Sequence, residues 1–198
     1  MKSEQLLSCI KELQKLERNN IIDKLVVIDA ESLNNKKKSD SSLTSLFDKL
    51  NKDSALAGYL LPNESRAGKI SRTVFNASTK SLFEGGPVSD LGEEAIYRTV
   101  KNYLEAVDVI FKQTENKNAR ISKTVLFKAI MVIFNEVCEK CLIKYKNVKV
   151  ESLIDYLYPI CQLNFEEYTG TNNATVNKIV NDLRNLLKEK VELSEEMF

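Results

Sequence analysis

The side chains of this chain that could do chemistry are carboxylates, lysines, arginines and cysteines, because its 198 residues include no histidine. That absence removes the group that most often serves as general base, metal ligand and switch near neutral pH. Serine-histidine triads, cysteine-histidine dyads, two-histidine zinc sites and histidine-dependent helical ribonucleases are all excluded. Two carboxylates, Asp29 and Glu31, follow directly on the apolar run Val26-Val27-Ile28. Hard cations want oxygen ligands, so this pair could hold Mg²⁺ in a nuclease-like site. A third acidic ligand and a positioned lysine at a usual spacing are not recognisable, and a helix cap or exposed turn is the preferred reading. Cys138-x-x-Cys141 has the spacing of half a zinc site, but a structural site needs four ligands and no histidine or second such pair completes it. Both cysteines lie on an apolar helical stripe and read as core. Gly85-Gly86-Pro87 lacks the lysine and hydroxyl residue of a phosphate loop and reads as a helix stop. No metal or cofactor is expected.

The remaining chemistry is electrostatic. Lys and Arg number 29 against 28 Asp and Glu, a formal charge of +1, so the whole molecule exerts no long-range pull on nucleic acid or anionic lipid. Binding of either must come from a local patch. Lys36, Lys37 and Lys38 stand in a row in a polar loop and could touch phosphates, which gives salt-dependent affinity without sequence readout. Between Ser122 and Lys149 six lysines (Lys123, Lys128, Lys140, Lys144, Lys146, Lys149) face Glu136 and Glu139, a local balance of +4 and the better basic surface. A solvated helix face explains the same pattern. The residues expected to contact a DNA backbone are therefore Lys36, Lys37, Lys38, Lys123, Lys140 and Lys144, and glutamate at two of them should weaken binding equally across unrelated sequences. The tyrosines at 97, 103, 145, 156, 158 and 168 fall mostly on apolar stripes, which does not support a base-stacking platform.

Helices must carry these residues. Leu6, Cys9, Ile10, Leu13 and Leu16 recur at helical steps, and Ile21 to Ile28 is a dense apolar run that period alone leaves open between a short strand and a buried helix. A helix with Leu43, Leu46, Phe47 and Leu50 inward follows, capped by Ser39, Asp40, Ser41 or Ser42. Gly58, Pro62 and Gly68 mark Asn51 to Lys69 as a connecting loop and a boundary between an amino-terminal helical segment, 1–57, and a helical core, 69–198, together one compact domain. Thr73 to Phe83 is helical; after Ser89 or Asp90 as cap, Ile96, Val100, Tyr103, Leu104, Val107, Ile110 and Phe111 form a long stripe, and Asn116 to Arg120 turns the chain. Ser122 opens the most apolar element, with Phe127, Ile130, Met131, Phe134, Cys138, Cys141, Leu142 and Tyr145 in one stripe and Leu126, Ala129, Ile133 and Val137 beside it. A helix apolar over so wide an arc must be covered on several sides, so it is the central one. Leu153, Ile154, Leu157, Tyr158 and Cys161 continue the pattern, and Val176, Ile179, Val180, Leu183, Leu186, Leu187 and Val191 make the last helix.

The stretch Gly68-Lys69-Ile70-Ser71-Arg72-Thr73-Val74-Phe75, the later Asn102-Tyr103-Leu104-Glu105-Ala106-Val107 leading to Ile110-Phe111, and Ser122-Lys123-Thr124-Val125-Leu126-Phe127-Lys128-Ala129-Ile130 together resemble the carboxy-terminal helical region of DGQHR-domain proteins. That family includes the DNA phosphorothioation regulator, and the likeness covers roughly Leu43 to Glu136. The Asp-Gly-Gln-His-Arg motif itself is absent, and the ParB-like half that carries it in relatives would lie upstream of residue 1. The resemblance therefore transfers no catalytic residue. It implies a helical part of a DNA-binding, regulatory or phage-defence protein, either separately encoded or truncated.

The expected fold is all-α, a single-domain bundle of about six to eight helices with at most one short strand near Leu25 to Ile28. The expected function is a non-catalytic module of a bacterial or phage DNA-modification, defence or regulatory system, binding DNA backbone, a protein partner or both. A pure protein-interaction or oligomerisation domain is the competing expectation, and a Mg²⁺-dependent nuclease using Asp29 and Glu31 ranks last. With four cysteines (Cys9, Cys138, Cys141, Cys161) and a start that runs into a charged amphipathic stretch, a cytoplasmic location is expected. The densest apolar run, Val125 to Phe134, is interrupted by Lys128 and falls short of the roughly 18 residues of a membrane span, so no membrane partner is expected.

Overall fold

The computed structural model describes residues 40–62, 66–83, 88, 91–114, 116 and 118–188. The chain divides into two compact units, Met1–Ser42 and Leu43–Phe198. Of the first, only residues 40–42 are described, and they are helical. The amphipathic stretch Ser3 to Glu17, the apolar run Ile21 to Ile28 with its possible strand, and Asp29, Glu31 and Lys36 to Lys38 all lie outside the described residues.

The described part is all-helical apart from one pair of two-residue strands. Six α-helices are seen: α1 over 40–52, α2 Arg72–Thr79, α3 Glu93–Gln113, α4 Thr124–Tyr145, α5 Val150–Leu157 and α6 Asn173–Leu187. Short 3₁₀ turns, Lys80–Leu82, Tyr158–Gln162 and Phe165–Glu167, extend or link them. Leu43, Leu46, Phe47 and Leu50 are all buried on α1, as their spacing requires. Asp40, Ser41 and Ser42 are already helical, so they do not cap α1; Ser39 lies outside the described residues.

The segment from Asn51 to Lys69, read from the sequence as a connecting loop, carries its own structure. Gly58 adopts φ +73, a left-handed conformation that an L side chain resists, and the reversed backbone donates from Gly58 N and Leu60 N to Asn51 Oδ1 at 3.2 and 3.3 Å. Lys69 Nζ closes the turn on Gly58 O at 2.7 Å. The result is a parallel pair, β1 Leu60–Leu61 and β2 Ile70–Ser71, that buries Leu56, Leu60 and Ile70. Ser71 then caps α2 by accepting from Val74 N at 3.4 Å.

The long stripe of α3 is buried at all seven expected positions, Ile96 to Phe111. Its N-cap is Gly92 rather than Ser89 or Asp90, and Glu93 and Glu94 in the first turn supply the negative charge that the helix dipole favours there. α4 is central, packing against α2, α5 and α6, and against α3 through Tyr103, whose hydroxyl donates to Ile130 O at 2.7 Å while its ring meets Phe134 edge-on at 5.0 Å. Phe47, Phe75 and Phe127 form a second aromatic chain, at 5.2 and 6.0 Å, that ties α1, α2 and α4 together. Each fully buried side chain of this size contributes roughly 1.5–3 kcal/mol. The expected stripes of α4 are buried except at its end, where Leu142 is exposed and Tyr145 half-buried. Tyr158 is 61% exposed, because the chain tightens from α-helix to 3₁₀ at that residue and the 3.6-residue period no longer applies. No helix among the described residues is long and apolar enough to cross a membrane.

Candidate nucleic-acid interface

An open groove of about 990 Å³ runs across the N-terminal end of α4. It is lined by Tyr59, the turn Arg66-Ala67-Gly68 before β2, the end of α3, residues 114, 116 and 118–123, Thr124 and Val125 at the start of α4, and Thr171. Each wall is fixed by local chemistry. Gly68 holds φ +72, a left-handed conformation that favours glycine, and this turns the chain from Arg66 into β2. Thr114 ends α3 by donating from N to Ile110 O at 3.2 Å and from Oγ1 to Phe111 O at 2.7 Å. Asn116 Oδ1 accepts from Asn118 N at 2.8 Å, an Asx turn that reverses the chain, and Lys123 N closes on Arg120 O at 2.9 Å. Buried Ala119, Ile121, Val125 and Phe111 anchor this turn to the core, with the Phe111 ring on Phe165 at 5.0 Å.

Cations dominate the groove. Arg66, Lys112, Arg120 and Lys123 line it, against Asp108 as the one carboxylate among the described lining residues. Asp108 is engaged: Lys112 Nζ lies 2.6 Å from its Oδ2, and the resulting hydrogen bond and charge raise the lysine's pKa, keeping it cationic. Lys123 is half-buried and donates from Nζ to Tyr168 O at 3.2 Å, which places its charge at a set position. Tyr59, an exposed aromatic, stands at the groove edge with Lys69 Nζ 4.7 Å from its ring centroid. Such a surface offers fixed positive charge at several points, the arrangement that phosphate backbones require.

Of the six lysines expected to contact DNA, the groove contains Lys123. Lys140 and Lys144 share one face of α4, four residues apart, but lie 17 and 21 residues beyond Lys123, about 26 and 32 Å along the helix. Lys144 Nζ sits 5.1 Å from the Tyr145 ring centroid, and Lys140 borders a separate hollow of about 400 Å³ with Glu136, Tyr156 and Arg184. Arg184 grips Glu136 by donating from Nε and Nη2 along one edge of its guanidinium, which removes one of the two acids from the local balance of α4. Arg66, Lys112 and Arg120 are the groove residues that the sequence reading missed. Counting charge across the turn from Lys112, and not from Ser122, would have found two of them; Arg66 arrives from a distant turn and leaves no sequence signal.

The cysteine pair is core. Cys138 and Cys141 are fully buried, and burial, the larger cause, pushes their thiols up to about 12 and about 11. Cys161 is half-buried with Sγ 3.7 Å from Gln113 Oε1. Raised values keep the thiols protonated, and the protonated form is a poor nucleophile. Iodoacetamide at pH 8 should therefore leave Cys138 and Cys141 unmodified in the folded protein and alkylate both in denaturant, as read by peptide mass. Modification of either before unfolding would contradict the packing. Among the described residues no cluster of three or more potential metal ligands is found. The tyrosines behave as the stripes suggest at 103 and 168, both buried, with Tyr168 OH donating to Asp182 at 2.7 Å. Gly85 to Pro87 lies outside the described residues. In comparisons with known proteins, no protein-family model, no curated protein and no solved structure matches the chain.

Proposed function

We propose that this chain is a non-catalytic helical module that binds nucleic-acid backbone through the groove at the start of α4, within a DNA-modification, defence or regulatory system. The observation that carries the reading is the gathering of Arg66, Arg120 and Lys123, beside Lys112 with its partner Asp108, from three segments around one groove. The likeness of Leu43 to Glu136 to the helical region of DGQHR-domain proteins points the same way, since that region accompanies DNA binding there. Cations gathered from three segments suit positioning on phosphates, contacts that fix a protein on a duplex without reading its sequence. Two short duplexes of unrelated sequence, followed by fluorescence anisotropy, should bind with equal affinity at about 50 mM salt and lose between about ten- and a hundredfold by about 200 mM, as two to four phosphate contacts require. Strong preference for one duplex would count against the reading.

A protein-contact or oligomerisation role is the second reading. It rests on Val132, 52% exposed, and Ile143, 59% exposed, which are three helical turns apart on one face of α4. Stable interfaces engage about 20–30 residues on each side, far more than this patch supplies. Absence of duplex retention at low salt, with a dimer mass by light scattering, would favour it.

A further inference from the structure

The groove contains one feature that a duplex backbone leaves unused. Tyr59 lines it and keeps 40% of its surface exposed. The other exposed aromatic among the described residues, Tyr158, is not part of the lining.

Tyr59 is held in place from several sides. Its N donates to Leu56 O and its O accepts from Ile70 N, both at 2.9 Å, so the backbone is pinned where it enters β1. Lys69 Nζ stands 4.7 Å from the ring centroid and is itself fixed by its bond to Gly58 O at 2.7 Å. On the groove side, Asp108 is the main cause of the raised pKa of Lys112, and the Tyr59 phenol adds to it, which places the ring beside that cation. An aromatic ring is thus fixed next to Lys69 and Lys112, in a groove that also carries Arg66, Arg120 and Lys123.

B-form DNA keeps its base faces inside the stack and shows only base edges in its grooves, so a duplex gives Tyr59 no stacking partner. A single strand has free base faces. Surfaces that hold one combine a cationic groove along the backbone with aromatic side chains on which bases stack, and the stacking tolerates every base. Both components are present here, in a concave space of about 990 Å³ that admits a stretch of one strand.

We infer that the groove takes single-stranded DNA in preference to duplex, with one base stacked on Tyr59 and adjoining phosphates on Arg66, Arg120 and Lys123. The inference rests on the backbone-binding reading and narrows it, since the same cations serve either form of DNA while the ring serves only the open one.

The test uses the full chain and three labelled probes at about 50 mM salt: oligo(dT) of about ten nucleotides, oligo(rU) of the same length, and a short duplex. Oligo(dT) should bind more tightly than the duplex. Tyr59→Leu should weaken oligo(dT) about tenfold, the worth of one stacked base, and leave the duplex nearly unchanged. Tyr59→Phe keeps the ring and should bind as the parent does, as should Tyr158→Leu outside the groove. Because the chain contains no tryptophan, Tyr59→Trp adds a lone reporter whose emission should be quenched saturably by oligo(dT) and little by the duplex. This variant retains an aromatic ring, so it stays informative if Tyr59→Leu fails to fold. Equal losses in Tyr59→Leu and Tyr158→Leu, or tryptophan emission indifferent to oligo(dT), overturn the stacking site. Duplex bound as tightly as oligo(dT) keeps the backbone-binding reading and removes the single-strand inference. Retention of oligo(rU) without oligo(dT) overturns the assignment to DNA, and no retention of any probe removes both readings.

Discussion

Replacing Arg66 and Arg120 together by alanine is expected to lower duplex affinity between ten- and a hundredfold at about 0.1 M salt and to flatten the salt dependence by about 1.8 in log K against log salt. Each phosphate neutralised by a cation releases condensed counterions, contributing about 0.9 to that slope, and the double variant removes two such cations. Both side chains are on the exposed rim of the groove, so Tm should hardly move. The loss should be equal for unrelated sequences, as contacts to phosphates alone predict. Lys140→Ala with Lys144→Ala is the matched comparison: the same charge is removed from the same surface, about 26–32 Å from Lys123 along α4. A slope unchanged there and flattened in the groove variant locates the contact. Equal effects in both would mean that binding is spread along the helix and that the groove holds no privileged position.

Phe127→Ala should destabilise the fold by about 3–5 kcal/mol, through the lost transfer free energy and the cavity left behind. Phe127 is completely buried, stacked at 6.0 Å on Phe75, which in turn meets Phe47 edge-on at 5.2 Å. Removing the ring breaks contact with α2 and, through Phe75, loosens α1. A domain of this size has roughly 5–15 kcal/mol in total, so the urea midpoint should fall steeply with little change in slope. Val132→Ala on the exposed side of the same helix should cost less than about 0.5 kcal/mol. A Phe127→Ala cost near that of Val132→Ala would mean that α4 does not sit at the centre of the core.

How far the sequence reveals this depends on how local each feature is. α3 and α4 declare themselves because their burial repeats every three to four residues for five or more turns; the seven stripe positions of α3 are all inside. The same argument fails where the period is short-lived. β1 and β2 are two residues each, too brief for an alternating pattern, and their pairing depends on Asn51 and Gly58, which read as ordinary loop residues. Gly92 as the cap of α3 was hidden because acids inside the first turn do the work of a capping side chain. The groove is the least local feature. Lys123 was visible in its own helix, whereas Lys112 and Arg120 stand across a turn from it and Arg66 is contributed from more than 50 positions earlier in the chain.

The most direct test of the phosphate-binding claim is the slope of log affinity against log salt for the unmodified chain on a short duplex. Two to four engaged cations predict a value between about −2 and −4. A slope near zero, or no measurable binding at about 50 mM salt, would contradict the account.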